Sequence, residues 1–310
     1  MACDCVGLSP ALARWQNLCL DFYSSIKNFT TSKAEFPALE KVALETPLYA
    51  HGLVLNAPPN WKEITLFLKS LPAMVDLMLF VDGAPIPRTL DIIWAQLRTC
   101  TLTYCCTTDI LHVLPLFSAG TRVCLVDFFE GPERLASVHT VVSDLSIRSR
   151  DVRVIDTLLS SLTAPCLKKF CITGRSSCIP HITAFFDRSS CALTHLGVSL
   201  WDCGADELTL LTSPHVCDIV DLDVDTQDDP RTFRKATEML AGRDIMITPK
   251  LRRLTLRNCR WASKAVDKIF EIQSNRRPVL QSLWLNRGGL FSQDTLQALK
   301  SGGLEVVFFE

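Results

Sequence analysis

Leu251-Arg252-Arg253-Leu254-Thr255-Leu256 contains the phrase on which the fold turns: apolar, two residues, apolar, one residue, apolar. Its last four residues alternate polar and apolar, the period of a strand with one buried face. Upstream the phrase recurs as Ile219-Leu222-Val224, Leu193-Leu196-Val198, Leu167-Phe170-Ile172 and Val142-Leu145-Ile147. Further back it reads Leu97-Cys100-Leu102, Met74-Leu77-Leu79 and Leu39-Val42-Leu44; downstream it reads Leu280-Leu283-Leu285. The starts fall mostly 23 to 32 residues apart. One such strand cannot bury its apolar face alone, so stacked copies must share a core.

Between the phrases the periodicity turns helical. Ile64–Leu71 stops at Pro72, Thr108–Leu114 at Pro115, and Val154–Leu162 shortly before Pro165; proline cannot continue a helix. Ile182–Arg188, Lys264–Ile272 and Asp294–Leu299 complete the alternation. One short strand and one helix per unit predict an α/β leucine-rich-repeat-like solenoid, a curved parallel sheet with helices on its convex side. The repeats are irregular. Gly120 replaces the first apolar residue ahead of Val123 and Leu125, and inserts occupy 45–63 and 226–249, the second with a helical piece at Phe233–Leu240.

A chain of 310 residues, 48% of them hydrophobic, can bury a large core. A net charge of −1 gives no basic footprint for nucleic acid. No apolar run reaches the ~18 residues of a membrane span, and no signal peptide is visible, so neither membrane nor secretion is expected. The 14 cysteines then read as reduced thiols of a cytoplasmic or nuclear protein. Cys100 is a core position of its phrase, and Cys105 and Cys259 stand where leucine-rich repeats place Asn or Cys. Cys3/Cys5 and Cys105/Cys106 lack the two-residue separation that suits a tetrahedral zinc, so no metal is expected.

Pro10–Leu20 has helical spacing, with Leu12, Trp15, Leu18 and Cys19 on one side. This suggests a short helical segment at 1–34 in front of a repeat domain at 35–310. Ala13-Arg14-Trp15-Gln16-Asn17-Leu18, followed by Phe22-Tyr23-Ser24-Ser25-Ile26, resembles the carboxy-terminal end of an F-box. Phe36–Leu44, Asp187–Leu196 and Pro249–Leu256 resemble the degenerate leucine-rich repeats that follow the F-box in families of fungal proteins. The resemblance implies the substrate-recognition subunit of a Skp1–cullin–F-box ubiquitin ligase: the F-box holds Skp1 and the repeats hold a protein substrate. Leu12, Trp15 and Leu18 would be the adaptor-binding remnant. The family's opening helix would lie ahead of residue 11, where Met1–Pro10 stand, so the F-box is incomplete. A repeat scaffold without ligase function is the alternative.

Residues between the apolar positions of each phrase point to the concave face. Central strands offer Lys169, Cys171 and Thr173, then His195, Gly197 and Ser199. The next three present Asp221, Asp223 and Asp225; Arg253, Thr255 and Arg257; and Ser282, Trp284 and Asn286. The register predicts Asp221 beside Arg253 and Asp225 beside Arg257, with Trp284 as an interface anchor. Phe308 is expected outward on the final strand. Ordinary cross-strand ion pairs account for the charges equally well.

No catalytic motif supports an enzyme or a cofactor: nucleophile elbow, zinc-protease helix, P-loop and dinucleotide glycines are all missing. His51, His112, His139, His181, His195 and His215 are scattered singly, and His195 reads as a surface residue. The Asp221–Asp225 trio could face a hard cation, but the flanking arginines neutralise it more simply. Asn28-Phe29-Thr30 matches a glycosylation sequon that would be silent without secretion.

Overall fold

An alternating phrase forms a strand only where a neighbour takes up its backbone hydrogen bonds, and here that neighbour is the next phrase. The computed structural model describes residues 16–21, 36–45, 60–81, 86, 94–131, 137–201, 210–211, 213–225, 234, 237–238, 240–241, 248–257, 271–272, 280–286 and 293–309. The architecture is α/β, with extensive parallel pairing. The chain divides into two compact units: residues 1–148 with 161–164, and residues 149–160 with 165–310.

In the first unit, β1 (Asn17–Asp21), β2 (Lys41–Glu45), β3 (Asp76–Phe80), β4 (Thr99–Thr103), β5 (Arg122–Val126) and β7 (Asp144–Arg148) follow one another, each parallel to the next. A separate short pair joins β6 (Val138–His139) to β8 (Leu162–Thr163). Helix α1 (Trp61–Lys69) starts where the Asn60 side chain accepts the Glu63 N–H at 3.4 Å, and it buries Ile64, Phe67 and Leu68. Asparagine at this position satisfies one of the orphan amides of the first turn. Helix α2 (Thr107–Val113) is capped instead by the Cys106 sulfur, which accepts the Asp109 N–H at 3.4 Å.

In the second unit, β9 (Lys169–Arg175), β10 (His195–Trp201), β11 (Asp221–Asp225), β12 (Arg253–Arg257), β13 (Ser282–Asn286) and β14 (Glu305–Phe309) are likewise parallel in sequence order. Helices α3 (Val152–Ser161), α4 (Ile179–Ser189) and α5 (Gln293–Ser301) lie between phrases. Helix α4 ends at Ser190, which takes a left-handed φ of 48° while its N–H reaches Phe186 O. Of the helices expected at Phe233–Leu240 and Lys264–Ile272, the described residues Arg234, Thr237, Glu238, Leu240, Glu271 and Ile272 are helical.

One contact recurs at the strand entries: a single carbonyl accepts two successive amides of the next phrase. Val75 O takes Arg98 and Thr99, Thr194 O takes Val220 and Asp221, and Val220 O takes Arg252 and Arg253. The ladder therefore stays in phase. Phe170, Leu196, Leu222, Leu254, Leu283 and Val306 align as one row; Ile172, Val198, Val224, Leu256, Leu285 and Phe308 form the next. Against the core side of these rows lie Phe185 and Phe186 of α4, with ring centroids 5.8 and 5.2 Å from Phe170.

Two expectations are corrected. The helical reading of Pro10–Leu20 fails at Asn17–Asp21, which is a strand; Gln16 O receives the Glu40 and Lys41 amides, the contact seen at the entries of β3, β4, β10, β11, β12 and β13. Trp15-x-x-Leu18-x-Leu20 repeats the strand phrase, and pairing with β2 outweighs local helix propensity. Leu12, Trp15 and the segment 22–35 lie outside the described residues. Phe308 also shares its side of the sheet with Leu285 rather than facing outward. The last phrase runs Gly303-Val306-Phe308, with glycine in first place as at Gly120.

The thiols expected in the core are there. Burial pushes the Cys100 and Cys105 thiols far up, and Cys105 donates to Thr103 O at 3.6 Å. Cys3, Cys5, Cys259 and the sequon at Asn28 lie outside the described residues. Among the described residues, no helix is long and apolar enough to cross a membrane.

Truncating the Phe170 ring removes the centre of the β9–α4 packing. Phe170→Ala should cost ~3–5 kcal/mol. The urea midpoint, followed by circular dichroism, checks this; a loss below ~1 kcal/mol would place Phe170 outside a packed core.

Candidate functional site

The open face of the second unit is set by the odd positions of β9 to β13. Three rungs cross it. Lys169, His195, Asp221, Arg253 and Ser282 form the first; Cys171, Gly197, Asp223, Thr255 and Trp284 the second; Thr173, Ser199, Asp225 and Arg257 the third. Parallel pairing makes residues some 26 to 32 positions apart into neighbours across ~4.8 Å.

On the first rung, Asp221 Oδ2 accepts from two cationic groups, Arg253 Nη1 at 3.1 Å and His195 Nδ1 at 3.3 Å. Burial pushes the Asp221 carboxyl up, but His195 and Arg253 outweigh it and hold the group below its usual range. The hydrogen bond to Asp221, then one with Cys171, push the His195 imidazole up to about 9 against partial burial. His195 is thus an imidazolium at neutral pH. The carboxylate that a general base or a charged histidine needs was not visible locally, because it stands 26 residues downstream on the next strand. Applying the register to His195 finds it.

The second and third rungs depart from the simple cross-strand pairing. Arg257 and Asp225 are Cα partners, yet the guanidinium turns diagonally to Asp223: Nε lies 2.9 and 3.0 Å from its two oxygens and Nη2 2.5 Å from Oδ2. A two-toothed Arg–carboxylate contact is stronger than a single one, and the diagonal distance is within reach of a long side chain. This contact raises the Arg257 pKa further. Asp225 instead accepts from Ser199 Oγ at 3.0 Å.

Trp284 is half-buried rather than freely exposed. The Arg253 guanidinium carbon sits 5.4 Å from its ring centroid, within cation–π range. Its Nε1 is buried and has no hydrogen-bond partner among the described residues. Asn286 falls in β13, with its backbone opposite Phe309. Leu18 falls in β1 of the first unit, opposite Val42.

The face can therefore present ordered guanidinium groups, an indole plane and a balanced set of charges. Among the described residues, no three His, Cys, Asp or Glu side chains converge as metal ligands would.

Because the His195 pKa is raised above the ordinary 6.5, its pairing stabilises the fold fully below pH 6.5 and is lost as pH rises through about 9. The lowered Asp221 contributes above about pH 3.8 and loses its contribution as pH falls through its depressed value. Asp221→Asn should then cost ~1–3 kcal/mol between about pH 4 and 6.5, with the gap to wild type narrowing towards pH 10. Melting midpoints of both proteins across that range check the sign; a gap that widens above pH 9 contradicts the pairing.

No protein-family model and no curated protein matches this chain, so the geometry of this face carries the functional reading.

Proposed function

We propose that this chain is a leucine-rich-repeat-type scaffold that holds a protein partner on the open face of β9 to β13. The observation that carries the reading is the set of pre-ordered charged side chains around Trp284. Arg253 and Arg257 are each half-exposed but tied to Asp221 and Asp223. Ordering a long side chain on binding costs ~0.5–1.5 kcal/mol, and here much of that ordering is complete before a partner arrives. The Arg253 guanidinium, bonded to Asp221 through Nη1, offers its further N–H groups to the partner. Arg and Trp are the residue types that dominate interface hot spots.

The charges favour protein over nucleic acid. Three carboxylates, Asp221, Asp223 and Asp225, offset Arg253, Arg257 and the His195 imidazolium. A phosphate backbone needs an excess of cations.

Of the two versions of this function, we favour the scaffold without ubiquitin-ligase activity. Membership of a Skp1–cullin–F-box ligase, implied by the resemblance, requires Leu12, Trp15 and Leu18 on one helical face. Leu18 sits in the β1 ladder, which removes one of the three.

The experiment is proximity labelling from the full chain, followed by affinity measurement with the purified partner. Arg253→Ala and Trp284→Ala should each weaken that affinity by about 2 kcal/mol, roughly 30-fold. Arg253→Ala should do so with an almost unchanged melting midpoint. Wild-type affinity in both variants would remove the face from the function. Purified Skp1 should not bind; a stoichiometric complex would restore the ligase version.

A further inference from the structure

The core rows that stay sealed along the second unit fall open at its last strand. Leu254, Leu256, Leu283 and Leu285 are at most 1% exposed, whereas their continuations on β14, Val306 and Phe308, are half-buried. Val307, on the other side of the strand, is half-buried as well. β14 stands at the end of the ladder, and among the described residues it pairs with β13 alone. Its backbone polarity follows from one bond. The Glu305 N–H reaches Gln281 O on the β13 side, so the alternate residues Val306 and Phe308 turn their N–H and C=O groups to the open edge. Edge strands are usually blunted by lysine, proline or a bulge. Glu305-Val306-Val307-Phe308-Phe309 has neither lysine nor proline, and it aligns with β13 residue for residue, without a bulge.

The strand is complementary to itself when reversed. With a twofold axis through Val307, perpendicular to the sheet, Val306 falls opposite Phe308 of the other copy, and these are the residues whose backbone groups face the edge. Each such pair exchanges both N–H···O=C bonds, and Val307 meets its own copy on the axis as the non-hydrogen-bonded pair between them. Sidedness agrees too. Val306 and Phe308 belong to the core rows, so the core of one copy runs into the core of the other. Glu305 falls opposite Phe309 rather than its own copy, so no like charges meet. Helix α5, which packs against β14, carries Asp294 in its first turn and Lys300 in its last, both exposed. The same axis turns the Asp294 end of one α5 toward the Lys300 end of the other.

We propose that β14 is a homodimerisation edge: two copies of this chain join antiparallel through β14 in a closed, isologous pair. A head-to-tail join of β14 to β1 of another copy would leave an open edge at every step, whereas the antiparallel pair covers the β14 edge of both copies. Antiparallel pairing is also the more stable per residue. The open faces of the two second units then meet at the axis, with Trp284, the Cα partner of Val307, one strand in from it on each side. The pairing does not depend on what that face binds.

Light scattering on the full chain should give a mass near twice 34.6 kDa at ~100 µM, falling towards 34.6 kDa on dilution. Raising the concentration should slow hydrogen exchange of the Val306 and Phe308 amides, which face the edge in the monomer. Val306→Pro, which removes an N–H that the ladder to β13 does not use, should weaken the dimer at least about tenfold. Val307→Lys and Val307→Glu should each be monomeric alone, since like charges then meet on the axis, and should pair when mixed. Pairing in the mixture separates a broken interface from a misfolded chain. A wild-type monomer at the same high concentration overturns the proposal. So does a dimer whose mass Val306→Pro and both Val307 variants leave unchanged, and so does a mass that keeps growing with concentration, which marks the head-to-tail join.

Discussion

A parallel strand with one apolar face is stable only between like strands in the same phase, and everything on this chain's surface follows from meeting that condition. The shared carbonyl at most strand entries sets where a phrase begins. A slip by one residue would turn Leu222 and Val224 to solvent and bring Asp221 and Asp223 into the core. Burying an unpaired carboxylate is far costlier than losing one ladder bond, so the phase is fixed by both faces at once. Phe170, Phe185 and Phe186 then fill the space between strand and helix on the core side.

That fixed phase is what turns distant sequence into a local surface. Asp221 meets Arg253 from 32 residues away, and Ser199 meets Asp225 from 26. Neither contact would form by chance in a flexible chain; each is imposed by backbone pairing. The consequence for binding is that charged side chains are already arranged before any partner arrives.

Apart from the short β6 and β8, which carry no phrase, the strands from β2 to β13 were legible because two signals coincided, period-two alternation and regular spacing. Where one signal was missing, reading was harder. β5 still formed behind Gly120, since Val123 and Leu125 keep the alternation and are fully buried. Trp15, Leu18 and Leu20 carried the phrase too, but their helical spacing was equally good, and only pairing with β2 decides between the two. Phe308 was misphased because Leu304, buried beside the last strand, competes with Gly303 as the phrase's first position. On the open face, the register was readable but the rotamers were not. Arg257 choosing Asp223 over its Cα partner Asp225 depends on guanidinium reach and on Ser199 engaging Asp225.

The most direct test of this account is a pair of double-mutant cycles on folding stability, Arg257 with Asp223 and Arg257 with Asp225. Pre-ordering across strands predicts a coupling of about 0.5–1 kcal/mol for Arg257–Asp223 and a clearly smaller one for Arg257–Asp225, whose charge acts on the guanidinium without the two-toothed contact. Coupling that falls on Asp225 instead, or on neither, would contradict the register and side-chain order on which the binding face is built.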